Sequence, residues 1–255
     1  YLAVGSIAHR CIAQQVINLT RLIVAFVRHG EYQQPPGVPS AHLPYPLTSN
    51  GMKQAADAVP GIVEMAASEN LAIFPVIDSS LQLRGWQTAT IIANELEKLG
   101  IRGVAVESNE KLAERCLGSA ANLTVAQIER IVADDPRYES LPTGWKSDSN
   151  FRIPLQGAES LMQAGERVKQ HVTSRTDRLA TEVATDTLKI FVGHGAAFRH
   201  AAVHMGLLTA SEAVALSMFH CQPVYFECQQ NSQHNDWRHI GGEWKVRKEK
   251  DLNLD

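Results

Sequence analysis

The chain has 255 residues, of which 44% are hydrophobic, and its formal net charge is −3. A chain of this length can bury one large core, and α/β proteins of this size commonly form a single domain. The charge is small and of mixed sign, which argues against nucleic acid or an anionic membrane as a partner. A site for an anion would therefore be a local cluster of cations.

The cysteines and the first residues narrow the class of protein further. The four cysteines are far apart and form no C-x-x-C pair: Cys11, Cys116, Cys221 and Cys228. This spacing disfavours a zinc site or a disulfide framework and favours reduced thiols in a cytoplasmic protein. Residues 1–20 are too polar to span a membrane and show no signal-peptide pattern, although a segment removed before Tyr1 stays open.

Apolar residues at helical spacing over 6–19 predict an accessory helix, which either packs on the core or forms a homodimer contact. After it, strands and helices alternate along the chain. Strands are predicted at 22–27, 73–77, 103–107, 188–192, 224–229 and 237–240. Helices are predicted at 52–67, 84–99, 124–133, 160–185 and 196–207. This alternation predicts a doubly wound sheet in one domain over 21–255, with a loop and helix insertion at 119–156.

Two of the predicted strands end in a histidine beside glycine. The apolar run 22–27 leads into Arg28-His29-Gly30, and the run 188–192 leads into Gly193-His194-Gly195. Sites in open α/β sheets form beyond the carboxyl ends of the strands. The repeated context therefore predicts one site that is assembled from both halves of the chain.

A second arginine adds to this site and indicates its chemistry. Arg84 follows the end of another predicted strand, and a guanidinium group matches phosphate oxygens bidentately. Together, Arg28, Arg84 and the two histidines would form a pocket for a dianion. An imidazole between cations has a lowered pKa and stays neutral, so His29 would attack phosphorus while His194 and the arginines neutralise the phosphate oxygens.

The leaving alkoxide requires a proton, so a carboxyl group should face this pocket. Glu114 is the better candidate and Glu31 is the competitor, although Glu114 could equally pair with Arg115 at the surface. The sequence contains no cluster with metal-ligand spacing, no Walker loop and no G-x-G-x-x-G. We therefore expect no metal and no organic cofactor.

Several motifs in order, over about residues 22–228, resemble the histidine phosphatase superfamily, the phosphoglycerate mutase-like group of branch 1. They are the strand ending in Arg28-His29-Gly30-Glu31, Pro46-Leu47-Thr48 with Gly51 and Gln54-Ala55, Ser80 with Arg84 and Gln87-Thr88-Ala89, Leu112 with Glu114 and Gly118, Gly157-Ala158-Glu159-Ser160, and Gly193-His194-Gly195. The resemblance implies a three-layer α/β/α sandwich with a mostly parallel central sheet.

The resemblance also implies roles for individual residues. It implies His29 as the phosphorylated nucleophile, Arg28, Arg84 and His194 as the phosphate pocket, and Glu114 as the proton donor. It implies a metal-independent phosphomonoesterase that acts on a small phosphorylated metabolite. A phosphoglycerate mutase-type phosphotransferase, and a phosphoprotein phosphatase or protein-binding module on the same fold, are the alternatives.

The chain departs from the family pattern in two places. Tyr32 and Gln33 stand where the family often has Thr or Ser and then Asn, so they are candidate substrate contacts. The segment 116–122 lacks the residues usual in the mutases, which favours a phosphatase. The insertion at 119–156 and the Pro-rich loop at 33–46 are expected to cover the pocket. Neither carries a dense basic cluster, which argues against polyphosphorylated substrates.

Overall fold

The computed structural model describes residues 20–230 and 235–247. The strands in this part of the chain are β1 Leu22–Arg28, β2 Ala72–Ile73, β3 Val76–Ser80, β4 Ala105–Asn109, β5 Thr187–Gly193, β6 Leu216–Met218, β7 Val224–Gln230, β8 Asn235–Gly241 and β9 Trp244–Val246. The helices are α1 Ser49–Ser68, α2 Leu83–Lys98, α3 Val125–Ala133, α4 Leu161–Glu182, α5 Gly195–His204 and α6 Ala210–Ala215. No helix in the described ranges is long and apolar enough to cross a membrane.

The main sheet runs in the order β4-β3-β5-β1-β7-β8, and β2 also pairs with β5. The strands β4, β3, β5 and β1 are parallel to one another, whereas β7 and β8 add an antiparallel edge. The predicted mostly parallel central sheet is therefore confirmed. Because β1 and β5 are direct neighbours, their carboxyl ends lie side by side.

Side chains alternate along β1 and define the two faces of the sheet. Ile23, Ala25 and Val27 are buried in one core cluster with residues of α1 and α2. Val24 and Phe26 are buried on the opposite face with residues of α4 and α5. A helix layer on each face of one sheet is the three-layer sandwich that the resemblance implied.

Side-chain caps mark the starts of three helices. The Thr48 side chain accepts a hydrogen bond from the N–H of Gly51 at the start of α1. Thr124 and Ser160 each form a capping box with the glutamine three residues later, at the starts of α3 and α4. Such residues satisfy N–H groups that have no partner within the helix, which is why the sequence places these three helix starts to within a few residues.

The predicted strand at 73–77 is wrong in its extent. The structure divides this region into β2 and β3, which are separated by Phe74 and Pro75. Proline has no N–H to donate to a ladder, so the pairing with β5 is interrupted there. The second strand continues to Ser80, and this extension carries the Ser80 side chain to the carboxyl edge of the sheet.

The region after α5 contains elements that the sequence pattern did not predict. Helix α6 and strand β6 follow one another directly, and β6 pairs with β9 in a separate two-stranded sheet. The predicted helix at 6–19 lies outside the described residues, so its packing and the homodimer contact stay predictions. Cys116, Cys221 and Cys228 are free thiols, and Cys11 also lies outside the described residues.

Candidate active site

His29 and His194 meet at the carboxyl ends of the adjacent strands β1 and β5. The N–H of His29 donates to the Gly193 carbonyl at 3.0 Å, and the two imidazole centroids are 5.0 Å apart. His29 is 1% exposed and His194 is fully buried. The structure thus brings together the two histidines that the strand-end motifs singled out.

The hydrogen bonds of the His29 ring define its tautomer. Its Nδ1 lies 2.8 Å from the Gly30 carbonyl, which can only accept, so Nδ1 carries the proton. Its Nε2 accepts a hydrogen bond from Arg84 Nε at 3.1 Å. Burial, followed by the charge of Arg84, lowers the pKa of His29 well below its usual value. The ring is therefore neutral, with its lone pair on Nε2.

The segment that carries His29 is held by side chains from the sequence motifs. The N–H of Gly30 donates to Thr88 Oγ1 at 3.0 Å, and the N–H of Glu31 donates to Gln54 Oε1 at 2.8 Å. A Cβ on Gly51 would lie 1.9 Å from the Glu31 carbonyl oxygen, so only glycine permits this approach of α1. These residues position the backbone of the segment that carries His29.

Arg84 lies at the start of α2 and is completely buried. Besides its bond to His29, it donates from Nη1 to the Leu43 carbonyl at 2.9 Å and from Nη2 to the Ala41 carbonyl at 2.8 Å. Its guanidinium carbon lies 4.5 Å from the centre of the Tyr32 ring. Residues 41–43 thus cover the guanidinium group and occupy the donors that face away from His29.

His194 is the N-cap residue of α5, and its two ring nitrogens differ in their surroundings. Nε2 lies 2.9 Å from Ser80 Oγ, whereas the buried Nδ1 has no hydrogen-bond partner among the described residues. Burial, followed by the charge of Arg84, lowers the pKa of His194 well below its usual value. A buried polar atom without a partner is costly, so Nδ1 is left available to a hydrogen-bonding group that enters the site.

Arg28 approaches the same site from the end of β1. Its Nη1 donates to the Met218 carbonyl at 2.8 Å, and its side chain packs against Gly195, where an added Cβ would lie 3.2 Å from Arg28 Cδ. Its positive charge contributes to the lowered pKa values of His29 and His194. The cation therefore acts electrostatically on both imidazoles.

Glu114 lies at the start of α5, the same helix end that His194 caps. Its Oε1 accepts hydrogen bonds from the N–H groups of Arg115 at 2.9 Å and Ala197 at 3.1 Å. Its Oε2 accepts from the N–H of Ala196 at 3.3 Å. The carboxyl group is 4% exposed, so the structure places it inside the molecule beside the site rather than in a surface ion pair.

Glu31 and Tyr32 follow His29 but face different surroundings. The Glu31 carboxylate accepts hydrogen bonds from Thr48 Oγ1 at 2.8 Å and Asn50 Nδ2 at 3.0 Å, which lower its pKa. The Glu31 side chain therefore stabilises the start of α1. The Tyr32 ring lies edge-on to His29, with centroids 5.3 Å apart, and its hydroxyl donates to Ser40 Oγ at 2.9 Å.

Gln33 lies in the loop after Tyr32, and His220 lies beside His29. The N–H of Gln33 donates to the Pro46 carbonyl at 3.0 Å, which ties the two ends of the loop together. Sequence reasoning missed His220, whose Nδ1 donates to the His29 carbonyl at 2.6 Å and whose ring centroid lies 5.5 Å from that of His29. It follows the short strand β6, which the sequence pattern did not predict, and it belongs to no motif, so the sequence carried no signal for it.

Within residues 20–230 and 235–247, no group of three His, Cys, Asp or Glu side chains has the arrangement of a metal site. The site is instead a pair of neutral imidazoles flanked by two guanidinium groups and one carboxyl group. Such a set of groups can perform phosphoryl transfer, because it offers a nucleophile, cations for phosphate oxygens and a carboxyl group.

The comparisons agree with this class of site. The family model of the histidine phosphatase superfamily (branch 1) matches residues 24–238, so the chain belongs to that superfamily. No curated protein matches the chain significantly.

Among solved structures, a mycobacterial glucosyl-3-phosphoglycerate phosphatase is 20% identical with a TM-score of 0.62, covering 89% of this chain and 98% of its own. The α-ribazole phosphatase from Shigella flexneri is 18% identical with a TM-score of 0.60, covering 89% of this chain and 99% of its own. At these identities the likeness shows a shared fold.

Proposed function

We propose that the protein is a metal-independent phosphomonoesterase that hydrolyses a small phosphorylated metabolite through a phosphohistidine intermediate on His29. The observation that carries this proposal is the state of the His29 ring. Its Nδ1–H donates a hydrogen bond to the Gly30 carbonyl, and its Nε2 accepts one from the Arg84 guanidinium group. A neutral, oriented imidazole next to a cation is poised to attack a phosphate group.

In the proposed first step, Arg84 Nε releases its hydrogen bond to His29 Nε2 and turns to the phosphate. The freed Nε2 lone pair attacks phosphorus and the bond to the ester oxygen breaks. Glu114 gives its proton to the departing alkoxide, so a neutral alcohol leaves. In the second step, water attacks the phosphohistidine and returns a proton to Glu114. The N–P bond breaks, and inorganic phosphate and the starting histidine are regenerated.

The proposed phosphate pocket consists of Arg28, Arg84 and His194. Ser80 Oγ already accepts a hydrogen bond from the N–H of Gln82, which favours donation of its own proton to His194 Nε2. His194 would then carry its proton on Nδ1 and donate it to a phosphate oxygen. This arrangement gives the buried, unpartnered Nδ1 a role in stabilising the charge of the transition state.

Residues 41–43 leave part of the Arg84 guanidinium group for phosphate. Nη1 and Nη2 each have two N–H groups, and the carbonyls of Leu43 and Ala41 accept one from each. In our proposal the Pro-rich loop at 33–46 covers the pocket and holds Arg84 in place, while the remaining N–H groups bind phosphate oxygens. The insertion at 119–156 contributes Lys146 and Ser147 to a cleft beside Glu114, which supports the expectation that it also covers the site.

The test is hydrolysis of p-nitrophenyl phosphate in excess EDTA by the wild type, His29→Ala and His239→Ala. His239 is exposed on β8 and serves as the matched control. We expect turnover by the wild type and the control, with a loss on the order of 10⁴-fold or more for His29→Ala. Circular dichroism checks that the variant is folded, and wild-type protein quenched in alkali during turnover should carry a phosphoryl group that is stable in base and released in acid.

Near wild-type turnover by folded His29→Ala would contradict the covalent mechanism. A wild type that fails to hydrolyse the ester but moves phosphate between the carbons of phosphoglycerate would support the mutase alternative. The cytoplasmic location and the homodimer are separate predictions, and this experiment does not depend on them.

A further inference from the structure

The chain between β6 and β7 crosses the carboxyl end of β1, where Arg28 and His29 lie. Arg28 Nη1 donates to the Met218 carbonyl at 2.8 Å, and the Arg28 carbonyl accepts from the N–H of Cys221 at 2.9 Å. The third hydrogen bond runs from His220 Nδ1 to the His29 carbonyl at 2.6 Å. This crossing therefore holds both a phosphate-pocket arginine and the proposed nucleophile.

The crossing is anchored on both sides, so it is a fixed support. Before it, β6 pairs with β9, and Met218 is completely buried. After it, β7 pairs with β1. Cys221 is 2% exposed and has a φ of 55°, a left-handed conformation that few residues other than glycine adopt. The sharp turn there lies directly after His220, whose side chain faces the His29 carbonyl.

The peptide group between His29 and Gly30 is held at both of its polar atoms. Its N–H donates to Thr88 Oγ1 at 3.0 Å, and its carbonyl accepts from His220. Thr88 belongs to α2, whereas His220 comes from the chain between β6 and β7. Because a peptide group is planar, the two hydrogen bonds together fix its orientation, and the loss of one allows the plane to rotate.

The orientation of this peptide group controls which nitrogen of the His29 ring carries the proton. The next carbonyl, that of Gly30, accepts from His29 Nδ1 at 2.8 Å. It stays within reach of Nδ1 only while the preceding peptide group keeps its orientation. Once that acceptor moves away, the proton can shift to Nε2, which then has no lone pair for phosphorus. The hydrogen bond from His220 therefore preserves the reactive tautomer.

The rings around His29 are consistent with this role. The centroids of the His220, Tyr32 and His194 rings lie 5.5, 5.3 and 5.0 Å from that of His29, so its imidazole is enclosed by three rings. Burial and Arg84 lower the pKa of His29 most, and His220 adds to their effect. His220 is thus coupled to the nucleophile through its ring as well as through the backbone.

We propose that His220 is a positioning residue for the nucleophile: it holds the His29 carbonyl so that His29 keeps its proton on Nδ1 and offers Nε2 to phosphorus. This inference rests on the proposed function and adds a residue that no sequence motif contains. The effect runs through the backbone of His29. Phosphate binding by Arg28, Arg84 and His194 should therefore be preserved when His220 is replaced.

The test uses two side chains of nearly the same shape. In His220→Asn the amide nitrogen lies as many bonds from the backbone as Nδ1 does and can donate to the His29 carbonyl, whereas in His220→Leu no donor is present. With enzyme in excess over p-nitrophenyl phosphate, release of p-nitrophenol reports the first step. At saturation we expect His220→Leu to lower this rate by about 10–10²-fold, since misplaced reacting groups cost this much. His220→Asn should stay within about threefold of the wild type.

The enzyme concentration that gives half the maximal rate should change by less than about twofold in both variants, because the phosphate pocket is intact. His220→Ala is a second variant without a donor, and it covers the case in which the leucine variant does not fold. His204→Leu is the matched control. The His204 Nε2 also donates to a main-chain carbonyl, that of Met162 at 3.0 Å, but at the far end of α5, so the rate should not change.

Equal rates in His220→Asn and in the folded variants without a donor would overturn the inference, whether these rates match the wild type or are reduced together. A loss that appears only in the half-saturating concentration would also overturn it, because His220 would then act on binding.

The tautomer of His29 can be measured without turnover, which separates this inference from the proposed reaction. In protein with isotope-labelled histidine, nuclear magnetic resonance shows which ring nitrogen carries the proton, and the His29 signals are those missing in His29→Ala. We expect the Nδ1–H form in the wild type and in His220→Asn, and a share of the Nε2–H form in His220→Leu. This result supports the inference even if the wild type hydrolyses nothing. The same tautomer in all three proteins would overturn it even if p-nitrophenyl phosphate is hydrolysed through His29.

Discussion

Strands β3 and β5 carry one buried polar cluster in their middle and contribute to another at their carboxyl ends. In the middle, Asp78 accepts hydrogen bonds from Lys189, from Arg175 at 2.9 Å and from His171 at 2.8 Å. Asp78 and Lys189 are each 1% exposed, and Arg175 also contacts Glu107. Each charged group in this cluster therefore contacts a group of opposite charge, although the cluster is buried.

The cluster at the strand ends has the opposite balance. The groups that lower the pKa of His29 besides burial are Arg84, His194, His220 and Arg28, all cations or imidazoles. Charges that compensate one another can lie buried without a ligand, whereas cations collected around neutral imidazoles favour the binding of an anion. The two clusters share strands and degree of burial, so the balance of charge separates a structural role from a functional one.

Removal of the Asp78 carboxylate should give the largest effect, a loss of stability, and it tests whether the middle cluster has a structural role. Asp78→Asn leaves Lys189 and Arg175 buried without their carboxylate, and we expect a loss of about 3–5 kcal/mol in the free energy of unfolding. Urea unfolding measures it, with Asp57→Asn as control, because the exposed pair of Lys53 and Asp57 should contribute at most about 0.5 kcal/mol. The folded fraction should keep its phosphatase activity.

The Asp78 carboxylate also makes the free energy of unfolding depend on pH. Its three partners hold the pKa of Asp78 below the usual value of 3.8. A lowered pKa in the folded state means that this stabilisation is complete above the usual value and is lost as the pH falls below it. Acid unfolding of Asp78→Asn should therefore show a smaller change across this range than that of the wild type. If the free energy of unfolding falls equally with pH in the wild type and in Asp78→Asn, the lowered pKa does not belong to Asp78.

Arg84→Gln should affect catalysis most among the pocket cations. It removes the donor to His29 Nε2 and the charge beside it, and we expect kcat/KM to fall by roughly 10²–10³-fold. Gln82→Met is the control for the surrounding segments, because Gln82 Nε2 donates to the same Ala41 carbonyl at 2.6 Å and its Oε1 accepts from the N–H of Glu114 at 2.8 Å. A loss as large in Gln82→Met would show that Arg84 acts by holding these segments and not through His29.

Glu114→Gln should discriminate between leaving groups. Alkyl phosphates need protonation of the leaving oxygen, so kcat/KM should fall by about 10²-fold for them and much less for aryl phosphates. Glu31→Gln is the matched control: it weakens the start of α1 by about 1 kcal/mol and should leave the alkyl-to-aryl ratio unchanged. Equal losses on both esters in Glu114→Gln would remove it as the proton donor.

The smallest effect concerns the pH dependence of catalysis. An imidazole with the usual pKa of about 6.5 would lose about three-quarters of its neutral form between pH 8 and pH 6. Because burial and Arg84 lower the pKa of His29, its lone pair stays available over this range. The substrate phosphate also titrates, with a second pKa of about 6, so kcat/KM is expressed per dianionic substrate. We then expect it to change by less than about 1.5-fold between these pH values. A fourfold fall that follows an imidazole titration would contradict the lowered pKa.

Much of the fold could be predicted because its signals are local. Caps such as Thr48, Thr124 and Ser160 act within one turn of the chain, and apolar runs mark the strands whatever they pair with. The break at Pro75 is also a local effect, which the apolar pattern of the strand concealed. The pairing of β6 with β9 was not predictable, because nothing in either short segment specifies its partner.

The candidate active site could be predicted in part. Parallel neighbouring strands end at one edge of the sheet, so the two strand-end histidines could be expected to meet before any coordinates were known. The carbonyl contacts of Arg84 and the approach of His220 could not, because they depend on where a loop folds back. The hydrogen bonds from the N–H groups at the start of α5 to Glu114 could not be predicted either, because they depend on how distant segments pack together.

The sequence by itself determined the ends of β1 and β5, the capped helix starts and the histidine pair, since each depends on neighbouring residues or on a repeated local pattern. Only the tertiary structure decided which charges lie together. Asp78 meets Lys189 across two strands, and His220 approaches His29 from a distant segment. Charge compensation is a property of distances in space, and these distances are set by long-range packing, which the order of residues along the chain does not show.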